Sequence, residues 1–143
     1  MAEFDKRHGI SRARFFLQKA VDCEAGQRDE FEAYLDAAII FARTALLRLK
    51  PTYEHHPNWQ PWWSNLLVDA TTKPSVDFLQ CERNWILHEA PARINRVIHV
   101  GQTLARASDS YYYETSARSP TDTVQKHIDV MENIVRDAER RFI

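Results

Sequence analysis

Cysteine is nearly absent from this chain: Cys23 and Cys81 are the only two, far apart and without C-x-x-C spacing. That pattern carries no signal of a zinc site or a disulfide framework, and two reduced, half-buried thiols are expected. An excess of charge of one sign is missing as well. Lys and Arg number 19 against 20 Asp and Glu, a formal net charge of −1. The molecule as a whole therefore has no long-range pull on phosphate backbones, and nucleic-acid binding would need a local patch. No apolar run approaches the ~18 residues of a membrane span, and the stretch from Met1 to His8 is polar. The expectation is a cytoplasmic protein without membrane association. Glycine is scarce, with only Gly9, Gly26 and Gly101 to interrupt the chain. Neither an internal repeat nor a low-complexity tract is present.

What the chain does hold is the balance of an ordinary globular protein, 44% apolar and 27% charged over 143 residues. A chain of that size hides about 70% of its unfolded surface, so a single domain over residues 1–143 is expected. After Gly9, Ser11 is placed to cap a first helix that carries Phe15, Phe16, Ala20 and Cys23 and breaks at Gly26. The clearest helix follows, roughly Gln27 to Leu49. Phe31, Tyr34, Leu35, Ala38, Ile39, Ala42, Ala45, Leu46 and Leu49 fall on one stripe at three- and four-residue spacing. Its length of about 34 Å suits a bundle backbone, and Lys50 and Pro51 are expected to end it.

A proline-rich loop then leads to a short helix with Trp62, Trp63, Leu66 and Leu67, which Asn58 is placed to cap with Pro61 in its first turn. A break at Thr71 to Pro74 opens the next helix. Between about 92 and 120 the helical period fails, which predicts a short β-hairpin or an irregular excursion. Thr121 or Asp122 is placed to cap a last helix whose stripe is Val124, Ile128, Met131, Ile134, Val135, Ala138 and Phe142. The fold class expected is all-α: a helical bundle with one short extra helix and an insert before the last helix.

The most chemically specific stretch is Cys81-Glu82-Arg83-Asn84-Trp85-Ile86-Leu87-His88-Glu89-Ala90-Pro91. With Arg83 at zero on a wheel of about 100° per residue, Leu79, Ile86, Glu82, Phe78 and Trp85 span an arc from roughly 200° to 320°, the core face. Arg83, Gln80, Asn84, Asp77 and His88 span roughly 0° to 140°, so the polar set projects away from its own bundle. Asn84 and His88 are i,i+4 neighbours, while Arg83 and His88 stand about 140° apart. Arginine offers a fixed fork of donors for a phosphate, and a histidine near neutrality moves a proton. Together they suffice for metal-free RNA cleavage: the histidine takes a proton from a 2′-hydroxyl and the arginine neutralises charge on the phosphate. A helix C-terminus pulls the His88 pKa upward, which leaves base, acid and phosphate-ligand roles all open. A solvated polar face closed by a histidine is the plain structural alternative.

Arg83-Asn84, three residues and His88, on the penultimate long helix of an all-helical domain, resembles the R-x(4–6)-H motif of HEPN-domain proteins. The resemblance extends to the long helix with Ala38-Ile39-Ile40-Phe41-Ala42-Arg43 and to the last amphipathic helix. It implies an up-and-down bundle, usually a homodimer, with the two motif helices facing one shared cleft. In active members that cleft is a metal-independent endoribonuclease, often a toxin paired with a nucleotidyltransferase-like antitoxin; other members bind nucleotide or protein without cleaving. By this resemblance Arg83 and His88 are catalytic, with Asn84 supporting and no cofactor or metal required.

Other residues invite weaker readings. Glu82 is a carboxylate on the apolar arc, where an unpaired charge is too costly, so a pairing with an arginine such as Arg43 is expected to hold the helix that presents Arg83. Arg93, Arg96 and Arg106, with Tyr111, Tyr112 and Tyr113, form either a phosphate-facing wall or ordinary cross-strand pairs. Glu54-His55-His56 lacks a further ligand at useful spacing and reads as a polar loop. Trp59, Trp62 and Trp63 can stack on bases, but a short helix must bury something to stay ordered, which favours packing.

Overall fold

A computed structural model describes residues 8–23, 27–88, 94–100, 107–113 and 119–142. Five helices are present among them: α1 (His8–Val21), α2 (Arg28–Tyr53), α3 (Trp59–Leu66), α4 (Lys73–His88) and α5 (Pro120–Arg141). Helix α2 packs against α1, α4 and α5, and α5 also touches α1 and α4, so these four form a helical bundle. Between α4 and α5 the backbone pairs antiparallel as β1 (Ile94–Val100) and β2 (Ala107–Tyr113), from Ile94 opposite Tyr113 to Val100 opposite Ala107. None of the described helices is long and apolar enough to cross a membrane.

The core is the meeting of two stripes. On α2, Phe31, Leu35, Ala38, Ile39, Ala42, Ala45, Leu46 and Leu49 are all buried; Tyr34 is half-buried and stacks on Phe16. On α5, Val124, Ile128, Met131, Ile134, Val135 and Ala138 are buried, and Phe142 closes the end. Three- and four-residue spacing turns these side chains to one side of each helix, and burial against the partner stripe supplies most of the helices' stability.

Helix boundaries depart from the sequence expectation at several places, and at the start of α1 and the end of α2 the reason is tertiary. Helix α1 starts at His8, so Ser11 lies inside it rather than at its cap. Gly9 allows this: a Cβ there would stand 2.8 Å from the Phe41 carbonyl oxygen and 2.9 Å from the Ala45 Cβ. Only a glycine lets α1 lie this close to α2. Helix α2 runs through Pro51 to Tyr53. Proline removes one hydrogen bond there, but the extra turn buries Tyr53 against Phe142, ring centroids 5.5 Å apart. Helix α5 is capped by Ser119, whose hydroxyl accepts from the Asp122 amide, with Pro120 in the first helical position. Thr121 serves the cap indirectly, its hydroxyl 2.7 Å from that of Ser119.

Asn58 occupies the N-cap position of α3 but makes no side-chain cap bond; its backbone N–H donates to His56 Nδ1 instead. The tryptophans pack. Trp59 is buried against Trp63, Trp62 and Phe142, and Trp62 Nε1 donates to Asp137 Oδ2 at 2.9 Å, tying α3 to α5. Cys23 is half-buried, and burial pushes its thiol pKa up; Cys81 is exposed, against the expectation of half-burial.

Candidate functional site

Helix α4 rests on α2 and α5, and its burial pattern follows the wheel. Leu79 and Glu82 are buried, Phe78 and Ile86 half-buried, and Asp77, Gln80 and Asn84 exposed. Arg83 is half-buried, on the border between the two faces. Its Nη1 donates to the Oδ1 of Asn84 at 3.3 Å, a neutral partner. His88 is the last residue of α4, a little under 8 Å along the axis from Arg83 at about 1.5 Å per residue. The side chain of His88 and all of Arg93 and Arg106 lie outside the described residues, as do the side chains of Arg96 and of the three tyrosines. Backbone register sets Arg96 opposite Tyr111.

The expected ion pair between Arg43 and Glu82 does not form. Arg43 Nε is buried with no hydrogen-bond partner, and among the described residues no carboxylate reaches its guanidinium. Burial lowers the Arg43 pKa, and the charge of Arg83 lowers it further. Glu82 lies about 100° round α4 from Arg83, inside the core arc, and the charge that Arg43 feels across the α2–α4 contact is that of Arg83. Glu82 is 4% exposed, so its position on the apolar arc was legible, but Arg43 is not its mate. The sequence reading missed Arg43 as a neighbour of the motif arginine. Only its place on the Ala38–Arg43 segment pointed there.

A second buried polar pair joins α4 to α5. The Ser75 hydroxyl and His127 Nδ1 are 2.7 Å apart, both residues are buried, and the imidazole stacks on Phe78 with centroids 4.2 Å apart. Burial is the main reason its pKa falls from 6.5 to about 4, with the charge of Lys126 adding to it. The ring is therefore neutral near pH 7 and enclosed, which suits a structural tie rather than proton transfer to a ligand. Its sequence signal was present but unread: residue 127 falls between Val124 and Met131 on the buried stripe.

Elsewhere, a cavity of about 520 Å³ opens between α3 and α5, lined by Trp62, Leu66, Asp69, Thr72, Asp137 and Arg141 among others, with none of the α4 motif residues in its wall. Among the described residues no group of three or more His, Cys, Asp and Glu is placed to hold a metal ion. No family profile, curated protein or solved structure matches this chain.

Proposed function

We propose that this chain is a metal-independent endoribonuclease of the HEPN type, working as a homodimer whose two α4 helices line one cleft. The observation that carries the reading is Arg83. It is half-buried on α4 beside exposed Asn84, five residues before the helix-closing His88, and without an acidic partner among the described residues. An arginine held in place but not neutralised is suited to meet charge that arrives with a substrate. Leu87, 51% exposed on the same outward side, supports a second protomer covering that face, since burial of such a side chain is favourable.

In the reaction, an imidazole takes the proton of a 2′-hydroxyl, whose oxygen attacks the adjacent phosphorus. The bond to the 5′-oxygen breaks, and that oxygen leaves with a proton returned by an acid, giving a 2′,3′-cyclic phosphate and a 5′-hydroxyl. His88 moves the proton, Arg83 neutralises the charge on the phosphate oxygens, and Asn84 orients Arg83. Arg96 can add a phosphate contact from β1, and a nucleotidyltransferase-like antitoxin is the partner this reading calls for. The test is incubation of the purified protein with structured and single-stranded RNA in a chelator. Cleavage with cyclic-phosphate ends is expected, and His88→Ala should reduce it roughly 10²–10⁴-fold, the usual contribution of a general acid–base group. Undiminished cleavage by His88→Ala would overturn the assignment.

The second reading is a non-catalytic module of the same bundle that binds a nucleotide or a protein through this face. The charge of Arg83 acting on the half-buried Arg43 favours it, because two guanidiniums on neighbouring helices can hold an anion without any proton transfer. Nucleotide binding without turnover would select it.

A further inference from the structure

Several arginines elsewhere in the bundle meet carboxylates. Arg14 reaches Asp129 at 2.9 Å and also Glu132; Arg28 meets Glu32, Arg136 meets Glu132, and Arg140 and Arg141 share Asp137. The α2–α4 seam is built differently. There Arg43 has a buried Nε–H with no acceptor, and its charged neighbour is another guanidinium, Arg83. The polar contact that Arg83 makes among the described residues is to an uncharged amide. A half-buried guanidinium that feels a second like charge and leaves a buried donor unsatisfied is an arrangement that folding alone does not favour.

We infer that Arg43 and Arg83 form a two-guanidinium site for a phosphate group, bridging α2 and α4 at the seam. A phosphate offers several anionic oxygens, so one group can accept from the guanidiniums of Arg43 and Arg83 together. Its charge cancels the repulsion between the two arginines, and Asn84, held by Arg83 through its Oδ1, keeps its amide nitrogen for a third contact. The site adds Arg43, from a different helix, to the residues of the proposed ribonuclease centre. It deepens that reading, but phosphate binding at the seam does not require cleavage. The phosphate can come from a terminal monoester, as in a mononucleotide, or from a backbone diester; both present the same oxygens.

The test is thermal unfolding of the full chain in sodium phosphate against sodium chloride at matched ionic strength. It is repeated with AMP and with a 2′-O-methyl oligoribonucleotide, which carries diesters but has no hydroxyl to attack. Phosphate should raise the melting temperature of the wild type above its value in chloride. Arg43→Gln should abolish that rise and weaken phosphate affinity roughly tenfold or more, as loss of a charge-assisted hydrogen bond does. Arg83→Gln, at the more accessible position, should do the same and serves if Arg43→Gln does not fold. Arg14→Gln should keep the rise. Protection by phosphate and AMP alone assigns the site to a monoester; protection by the oligonucleotide assigns it to the RNA backbone. The inference is overturned if phosphate gives no rise over chloride, or the same rise in both seam variants as in the wild type. RNA cleavage by the wild type in that event would leave the ribonuclease reading standing, while Arg43-dependent phosphate binding without cleavage would do the reverse.

Discussion

Two seams of this bundle use arginine in opposite ways. Where α1 meets α5, Arg14 lies between Asp129 and Glu132, and although burial alone would lower its pKa, those hydrogen bonds and charges raise it. Arg136 extends the network through the second oxygen of Glu132. Where α2 meets α4, Arg43 has a buried, unbonded Nε and Arg83 as its charged neighbour, and its pKa falls. The first arrangement contributes to its own stability. The second supplies no ion pair to hold α4 in place among the described residues, so that helix is fixed by other means. The buried side chains Leu79 and Val76 and the Ser75–His127 bond do this. A charge that is not needed for folding is available for something else, and this separates a candidate binding seam from a structural one.

The apolar part of that comparison predicts the largest effect. If α4 is held by packing, Leu79→Ala, at a position with no exposure, should lower the unfolding free energy by about 2–5 kcal/mol. Chemical denaturation at neutral pH measures it. A cost well under 1 kcal/mol would mean that polar contacts carry the seam after all.

The next effect is a pH dependence from the α4–α5 contact. His127 has a folded-state pKa of about 4 against 6.5 when unfolded. The folded state therefore prefers the neutral ring, and the unfolded chain takes up the proton first as the pH falls. Stability is fully present above pH 6.5 and lost progressively down to about pH 4, a total on the order of 3 kcal/mol. Denaturation curves across that range should show the loss. His127→Gln, which cannot titrate, should remove the part of the slope that lies between those values; an unchanged slope would mean that carboxylates carry it.

The contrast between the seams also marks where sequence reading succeeds. The stripes of α2 and α5 were legible because apolar spacing at 3.6 residues per turn is a property of one helix. The outward face of α4 was legible for the same reason: Asp77, Gln80 and Asn84 are exposed and Glu82 is buried as the wheel requires. Boundaries were not, because they depend on contacts between helices. Gly9 lies in α1 because Phe41 and Ala45 stand beside it, and α2 continues past Pro51 because Tyr53 meets Phe142. The partner of Arg43 failed likewise. Which residue of α4 it meets depends on the rotation of one helix against the other, and a wheel drawn for a single helix does not contain that angle. Charge preference suggested Glu82; the packing angle supplied Arg83.

The smallest expected effect is the sharpest discriminator, because its sign differs between the seams. Methionine is close to arginine in length and lacks its charge, so Arg→Met at each seam removes the guanidinium while keeping much of the packing. At the α1–α5 seam Arg14→Met should cost about 1 kcal/mol, the scale of a part-exposed ion pair, and Asp129 and Glu132 are left facing each other without it. At the α2–α4 seam Arg43→Met removes a buried unbonded donor and a like-charge contact together. Stability in phosphate-free buffer should therefore stay level or rise by a few tenths of a kcal/mol to about 1 kcal/mol. Parallel urea titrations of the two variants and the wild type at low salt decide it, and added sodium chloride should shrink both differences by screening. If Arg43→Met destabilises as Arg14→Met does, the Arg43 guanidinium contributes to the fold in the manner of Arg14, and the α2–α4 seam loses its claim to a charge held in reserve for a ligand.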